Sequence, residues 1–322
     1  MRWLLVVTAA LGCGPTASQS PQPSYFTMNG PSPLLAPAAA SYDPTQAGTV
    51  VDRMVDFAFD GGDIEFEMRR DGGRVIEVAR NHYMVPVVMQ WTVGDLDNLL
   101  PSGAVSGVVV LPPADRPNGT GAGVLLTTYN LDDPRAAYRR QLNMHARFGD
   151  PNARPQPYAY RLPFKAGKTF SILQGFHGTF SHRGSNEFAV DFDCPVATPV
   201  LATRPGIVVA ANAAAQGSGT TPDFLEYRRT NFVLVLHDDG TLGEYMHLAA
   251  SGVRASVGQK VERGDELALS GNTGYSSTPH LHFQVMTAAG DGISAQSFPF
   301  ELQISAHKVE PPVQGRSYPS WE

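Results

Sequence analysis

Cysteine is nearly absent: Cys13 and Cys194 are the only two in 322 residues. A disulfide-stapled scaffold is therefore excluded, and stability must come from core burial. Beyond the N-terminus no apolar stretch reaches the roughly 20 residues that a bilayer-spanning helix requires. Long basic runs are missing too, and the formal charge is a modest −6, so the footprint of a nucleic-acid binder is absent. Helix-period patterns are scarce in the C-terminal half. What the chain has instead is punctuation: 32 glycines and 26 prolines predict many turns and short strands. An apolar fraction of 42% is ample for a buried core.

The N-terminus has the form of an export signal, with Arg2 ahead of the apolar stretch Trp3 to Leu11. Gly12 directly before Cys13 resembles a bacterial lipobox, in which lipid is attached to the cysteine, although Ala10 stands where such a box usually has leucine. Residues 1–17 are expected to be a signal peptide with lipidation at Cys13. The chain is then exported to the cell envelope and anchored to a bacterial membrane, facing the periplasm or in the outer membrane. Cleavage of an ordinary secretory signal a few residues downstream is the alternative. Residues 18–48, rich in Pro, Ser and Ala, read as a flexible tether. Cys194, flanked by apolar residues, reads as an inert buried thiol rather than a nucleophile.

The remainder predicts an all-β chain in two parts, residues 49–155 and 156–305, with a tail over 306–322. In Ile64-Glu65-Phe66-Glu67-Met68 apolar and charged residues alternate, as in a half-buried strand. Asp71-Gly72-Gly73 is turn chemistry, and Val75 to Val78 returns. Further strands are expected over 85–93, 105–111 and 123–128, giving a small β-sandwich, immunoglobulin-like in spacing. Residues 134–148 read as one helix or an irregular connector, and 151–157 as the boundary. In the second part the apolar run Asn231 to His237, the Asp239-Gly240 turn and the return Gly243 to Leu248 form a hairpin signature.

The chemistry-bearing residues are histidines. In His280-Leu281-His282-Phe283 the two imidazoles share one strand face, while Leu281 and Phe283 point into a core. Such a pair suits a metal site or an acid–base pair, but His-x-His alone is weak. By the same alternation Tyr245 and His247 share a face, opposite Met246 and Leu248. Upstream, His182 precedes Asp191, a carboxylate set in the apolar strand Phe188 to Phe192. An aspartate there is costly unless it is paired or binds a metal.

Together these elements resemble the lysostaphin-like, or LytM-type, zinc metalloendopeptidases. The resemblance runs from Phe176 to Phe283. It rests on Ala189-Val190-Asp191-Phe192, Pro199-Val200-Leu201-Ala202, Pro205-Gly206-Ile207-Val208, Tyr245-Met246-His247-Leu248, Arg263-Gly264-Asp265, and Ser270-Gly271-Asn272-Thr273-Gly274 leading to His280-Leu281-His282. It implies a compact antiparallel β fold with Zn²⁺ at one end of a groove. By position, His182, Asp191 and His282 match the zinc ligands. His280 matches a general base and His247 a hydrogen-bond donor to the oxyanion. Two histidines and one carboxylate leave a fourth tetrahedral position open, as catalytic zinc requires. The usual family spacing is His-x-x-x-Asp, whereas His182 and Asp191 are nine apart, as in a subset with a longer loop. His177 therefore competes with His182, and Asp193 with Asp191. Tyr245 lines the groove or packs.

The implied activity is hydrolysis of peptide bonds in bacterial peptidoglycan, at cross-bridges or stem peptides. A catalytically inactive relative that binds or activates another cell-wall hydrolase is the alternative, but such relatives usually lack one of these five positions. A lipoyl- or biotinyl-type carrier is a poor fit, because the Gly271-Asn272-Thr273-Gly274 turn offers no lysine for attachment. His82, His145, His237 and His307 lack partners at ligand spacing and read as structural or surface residues.

Overall fold

A computed structural model describes residues 48–321. The signal-like segment, Cys13 and nearly all of the tether lie outside the described residues. The described part belongs to one compact unit and is built almost wholly of strands.

Residues up to about 150 form two sheets. In the first, the order is Thr49–Phe59, Gly62–Asp71, Arg74–Asn81, Val124–Asn130 and Leu100–Pro101. The expected hairpin closes with Asp71 opposite Arg74. Gly72 takes φ +59°, which a side chain would resist. The second sheet runs Ser106–Leu111, Val87–Asp97 and Arg139–Phe148. Arg139–Phe148 is thus a strand and not the helix or irregular connector expected over 134–148. It pairs with Val87–Asp97 from Phe148 to Arg139. Leu142, Met144, Ala146 and Phe148 reach the core, and the polar residues between them occupy the other face. Both sheets feed a single core that includes Ile64, Phe66, Met89, Trp91 and Phe148.

The second part centres on an antiparallel sheet. Its order is Lys260–Val261, Gly206–Asn212, Phe232–Leu236, Leu242–Met246, His280–Ala288, Val190–Asp193, Thr169–Gln174 and Ser317–Pro319. Leu281, Phe283, Tyr245 and Val233 enter a core on one face. On the opposite face Phe232, Leu234, Leu242 and Met286 join the core of the N-terminal sheets. The apolar run 231–237 is continuous because both faces of that strand are covered. Residues 306–321 are tied in rather than free: Lys308–Glu310 pairs with Glu301–Ser305, and Ser317–Pro319 with Thr169–Gln174.

Candidate metal centre

Alternation along His280–Ala288 sends His280, His282, Gln284 and Met286 to the face that Met286 shares with the N-terminal sheets. The two histidines stand at the start of the strand, and Leu281 and Phe283 anchor it from behind at 0% exposure. On the neighbouring strand, Asp191 lies directly opposite His282. The loop between Gln174 and Val190 carries His182, fully buried, to the same point.

One carboxylate oxygen gathers the imidazoles. Asp191 Oδ1 lies 2.9 Å from His282 Nδ1, 3.1 Å from His182 Nε2 and 3.6 Å from His280 Nε2. Ligand atoms of His182, Asp191 and His282 all lie within 4.8 Å of one another. The chemistry of this donor set fits a cation. Nδ1 of His182 faces the Gly175 carbonyl at 2.9 Å, and a carbonyl only accepts, so Nδ1 carries the proton. Nε2 of the neutral ring is then a lone pair aimed at an anionic oxygen, and it makes no hydrogen bond. Two electron-rich atoms in buried contact need a cation or a proton between them. Tetrahedral bonds of about 2.0–2.1 Å would set such donors about 3.3 Å apart, close to the separations of His182 and His282 from Asp191. Burial alone would push the Asp191 carboxyl up, but without metal a proton held between it and His182, and its contact with His282, keep it well below the usual carboxylate range.

His280 and His247 stand beside this group, their ring centroids 4.6 Å apart. Nδ1 of His280 donates to the Thr278 carbonyl at 2.8 Å, and Nδ1 of His247 to the Thr273 carbonyl at 2.7 Å. Each neutral ring therefore presents Nε2 as an acceptor. Burial, with the neighbouring His280 and His282, lowers the His247 pKa to about 3, so the ring is neutral in the metal-free protein near pH 7. His280 is shifted down as well, mainly by burial.

Tyr245 does not line this site. It is fully buried in the C-terminal core, where its hydroxyl accepts from the Thr203 backbone N–H and bonds the Thr203 hydroxyl, both at 2.8 Å. The strand ends at Met246, and His247 adopts φ +61°. That left-handed step breaks the alternation, so His247 faces the imidazoles while Tyr245 faces Phe283. His177 also stays apart: its side chain is 62% exposed and meets Glu187 at 3.2 Å. Asp193 is exposed, two pairing steps beyond Asp191 and opposite His280. Cys194 is a buried free thiol whose pKa burial raises to about 11. His237 is buried at the end of its hairpin strand, with Nδ1 on the Pro205 carbonyl.

One residue at the site escaped the sequence: Gln174, 6% exposed, donates to the second oxygen of Asp191 at 3.0 Å. Its only signal is a polar residue at the end of a short apolar strand, directly before Gly175.

Residues 185–294 match Peptidase family M23, so His182 lies three positions ahead of the matched stretch. Four places before Asp191, where the family spacing puts a histidine, stands Glu187. Among similar proteins are the glycyl-glycine endopeptidase ALE-1 of Staphylococcus capitis, 38% identical over 114 residues (35% of this chain, 28% of the relative), and lysostaphin of Staphylococcus simulans, 35% identical over 114 residues (35% and 20%). The peptidoglycan DD-endopeptidase ShyA of Vibrio cholerae is 31% identical over 120 residues (37% and 24%). The chain thus spans under a third of the length of these relatives. A solved structure of the lysostaphin catalytic domain from S. simulans is 29% identical and covers 40% of this chain and 87% of that one, with a TM-score of 0.29.

Proposed function

We propose that this chain, whose residues 185–294 form a domain of Peptidase family M23, is a zinc-dependent endopeptidase that cleaves peptide bonds in bacterial peptidoglycan. His182, Asp191 and His282 would hold Zn²⁺. The observation that carries this reading is His182 Nε2 set 3.1 Å from the Asp191 carboxylate while Nδ1 of the same ring faces the Gly175 carbonyl, an arrangement that a cation resolves. Zinc, when bound, supplies a water acidified towards pKa 7 and a positive charge beside the scissile carbonyl.

The chain's own residues do the rest. His280, fixed through the Thr278 carbonyl, offers Nε2 as general base and takes the proton of the attacking water. The imidazolium so formed returns that proton to the departing amine. His247 is held in the same sense by Thr273, so as a neutral ring it accepts rather than donates. The oxyanion role expected of it therefore requires the imidazolium, and the adjacent rings of His247 and His280 act as one proton-holding pair. Histidine or aspartate stands at each of the five positions assigned to the site, with His182 outside the usual family spacing, and this favours an enzyme over an inactive binding partner. Export and lipidation at Cys13 would place this activity in the envelope.

The test incubates the zinc-loaded soluble chain with purified sacculi and identifies released fragments by mass spectrometry, beside a chelated control. Muropeptides cut at a peptide bond, appearing only with metal, are expected. No release at any zinc loading would overturn the proposal.

A further inference from the structure

We infer that Gln174 is the positioning residue of the metal site, the group that lets a histidine nine residues upstream of Asp191 serve beside it. The inference rests on the zinc reading above and concerns how this chain builds that site.

Gln174 ends the strand Thr169–Gln174 and is the register partner of Asp191 on the next strand. Its amide uses its full hydrogen-bonding capacity. Nε2 donates to Asp191 Oδ2 at 3.0 Å and to the Ser181 hydroxyl at 2.9 Å. Oε1 accepts from the backbone N–H of Phe180 at 2.9 Å and of Ser181 at 3.0 Å. The orientation is forced by chemistry: a flipped amide would set its oxygen against a carboxylate and its NH₂ against two N–H donors.

This one side chain thus joins the two parts of the site that the sequence separates. Through Nε2 it occupies Asp191 Oδ2, which leaves Oδ1 to face His182, His280 and His282. Through Oε1 it pins the backbone of Phe180 and Ser181, immediately before His182. The loop is shaped around it: a Cβ on Gly178 would collide with Cγ of Gln174. His182 Nδ1 is fixed in turn by Gly175, the residue after Gln174. The longer loop needs such a tie, because His182 does not lie on the strand that carries Asp191.

Two substitutions separate the halves of this role. Gln174→Glu keeps acceptor oxygens for the Phe180 and Ser181 N–H groups but replaces the donor to Asp191. Gln174→Met removes both. Zinc affinity is measured by competition with a chromophoric chelator, alongside the thermal midpoint of the zinc-free proteins. Partners of metal ligands typically contribute about 10–100-fold in affinity. Both variants are expected to bind zinc about 10–100-fold more weakly, with the zinc-free midpoint of Gln174→Glu lowered by the buried oxygen–oxygen contact and turnover restored by excess zinc. Gly178→Ala, which pushes the amide aside without removing it, should weaken zinc in the same direction and serves if Gln174→Met does not fold. Wild-type zinc affinity in Gln174→Glu would overturn the inference and leave the metal site standing. A wild-type chain that binds no zinc would remove the site itself.

Discussion

His247→Ala separates the groups that hold the metal from those that act beside it. His247 lies outside the trio whose ligand atoms converge, so the variant should keep its zinc. It loses the hydrogen bond to the Thr273 carbonyl, and an orphaned buried acceptor costs about 1–3 kcal/mol. At about 2–4 °C per kcal/mol for a unit of this size, the thermal midpoint should fall by about 2–12 °C. Turnover should fall much further, by about 100- to 1000-fold, the range for removing one preorganised group at a developing oxyanion. His282→Ala is the counterpart. It deletes one of three donors, so zinc itself should be lost and excess metal should not restore fragments. Zinc per chain after dialysis, the thermal midpoint and the rate of fragment release from sacculi give the three readouts. Loss of zinc from His247→Ala, or turnover within a few-fold of wild type, would refute the division of roles.

Three further outcomes follow from the same geometry. Tyr245→Phe should cost about 1–3 kcal/mol in a urea titration, because the buried Thr203 N–H loses its acceptor, while kcat/KM stays unchanged. A rate loss at unchanged stability would return Tyr245 to the groove. His177→Ala removes a side chain that is 62% exposed and should leave zinc content unaltered and stability within about 0.5 kcal/mol. The third outcome concerns acid. Burial, with a smaller effect of the Arg204 charge, lowers His237 from 6.5 to about 4. A depressed histidine favours the unfolded state as it protonates, so its stability contribution is intact above about pH 6.5 and is lost as pH falls towards 4. A fall of about 2.5 in pKa, at about 1.4 kcal/mol per pKa step, gives about 3.5 kcal/mol. Urea midpoints at pH 7 and pH 4.5 should differ less in His237→Gln than in the wild type, and equal slopes would refute the assignment.

The legible strands were those in which polar and apolar residues alternate with a period of two. Ile64 to Met68 and His280 to Phe283 show it directly. Arg139–Phe148 has the same period, but Arg139, Gln141, Asn143, His145 and Arg147 on the other face, and Arg140 on the core face, disguised it. The packing of the N-terminal sheets on the second sheet was half visible. An apolar run such as Phe232–Leu236 requires cover on both faces, yet nothing in it says which part of the chain supplies the second cover.

The site divides along the same line. His280, His282 and Asp191 sit on paired strands, where alternation fixes their directions; it left Asp193 on the same face as Asp191, and the strand register separates the two. His247 and His182 lie just off regular structure, and each is aimed by a local backbone event that alternation does not encode. For His247 the event is the φ of +61° after Met246, which turns it away from the core face that Tyr245 occupies. For His182 it is a loop tied to Asp191 through the Gln174 amide. A motif spacing records how far apart two ligands lie along the chain. Whether they meet depends on which buried polar groups must be satisfied between them, and here Gln174 satisfies the carboxylate and the loop backbone at once.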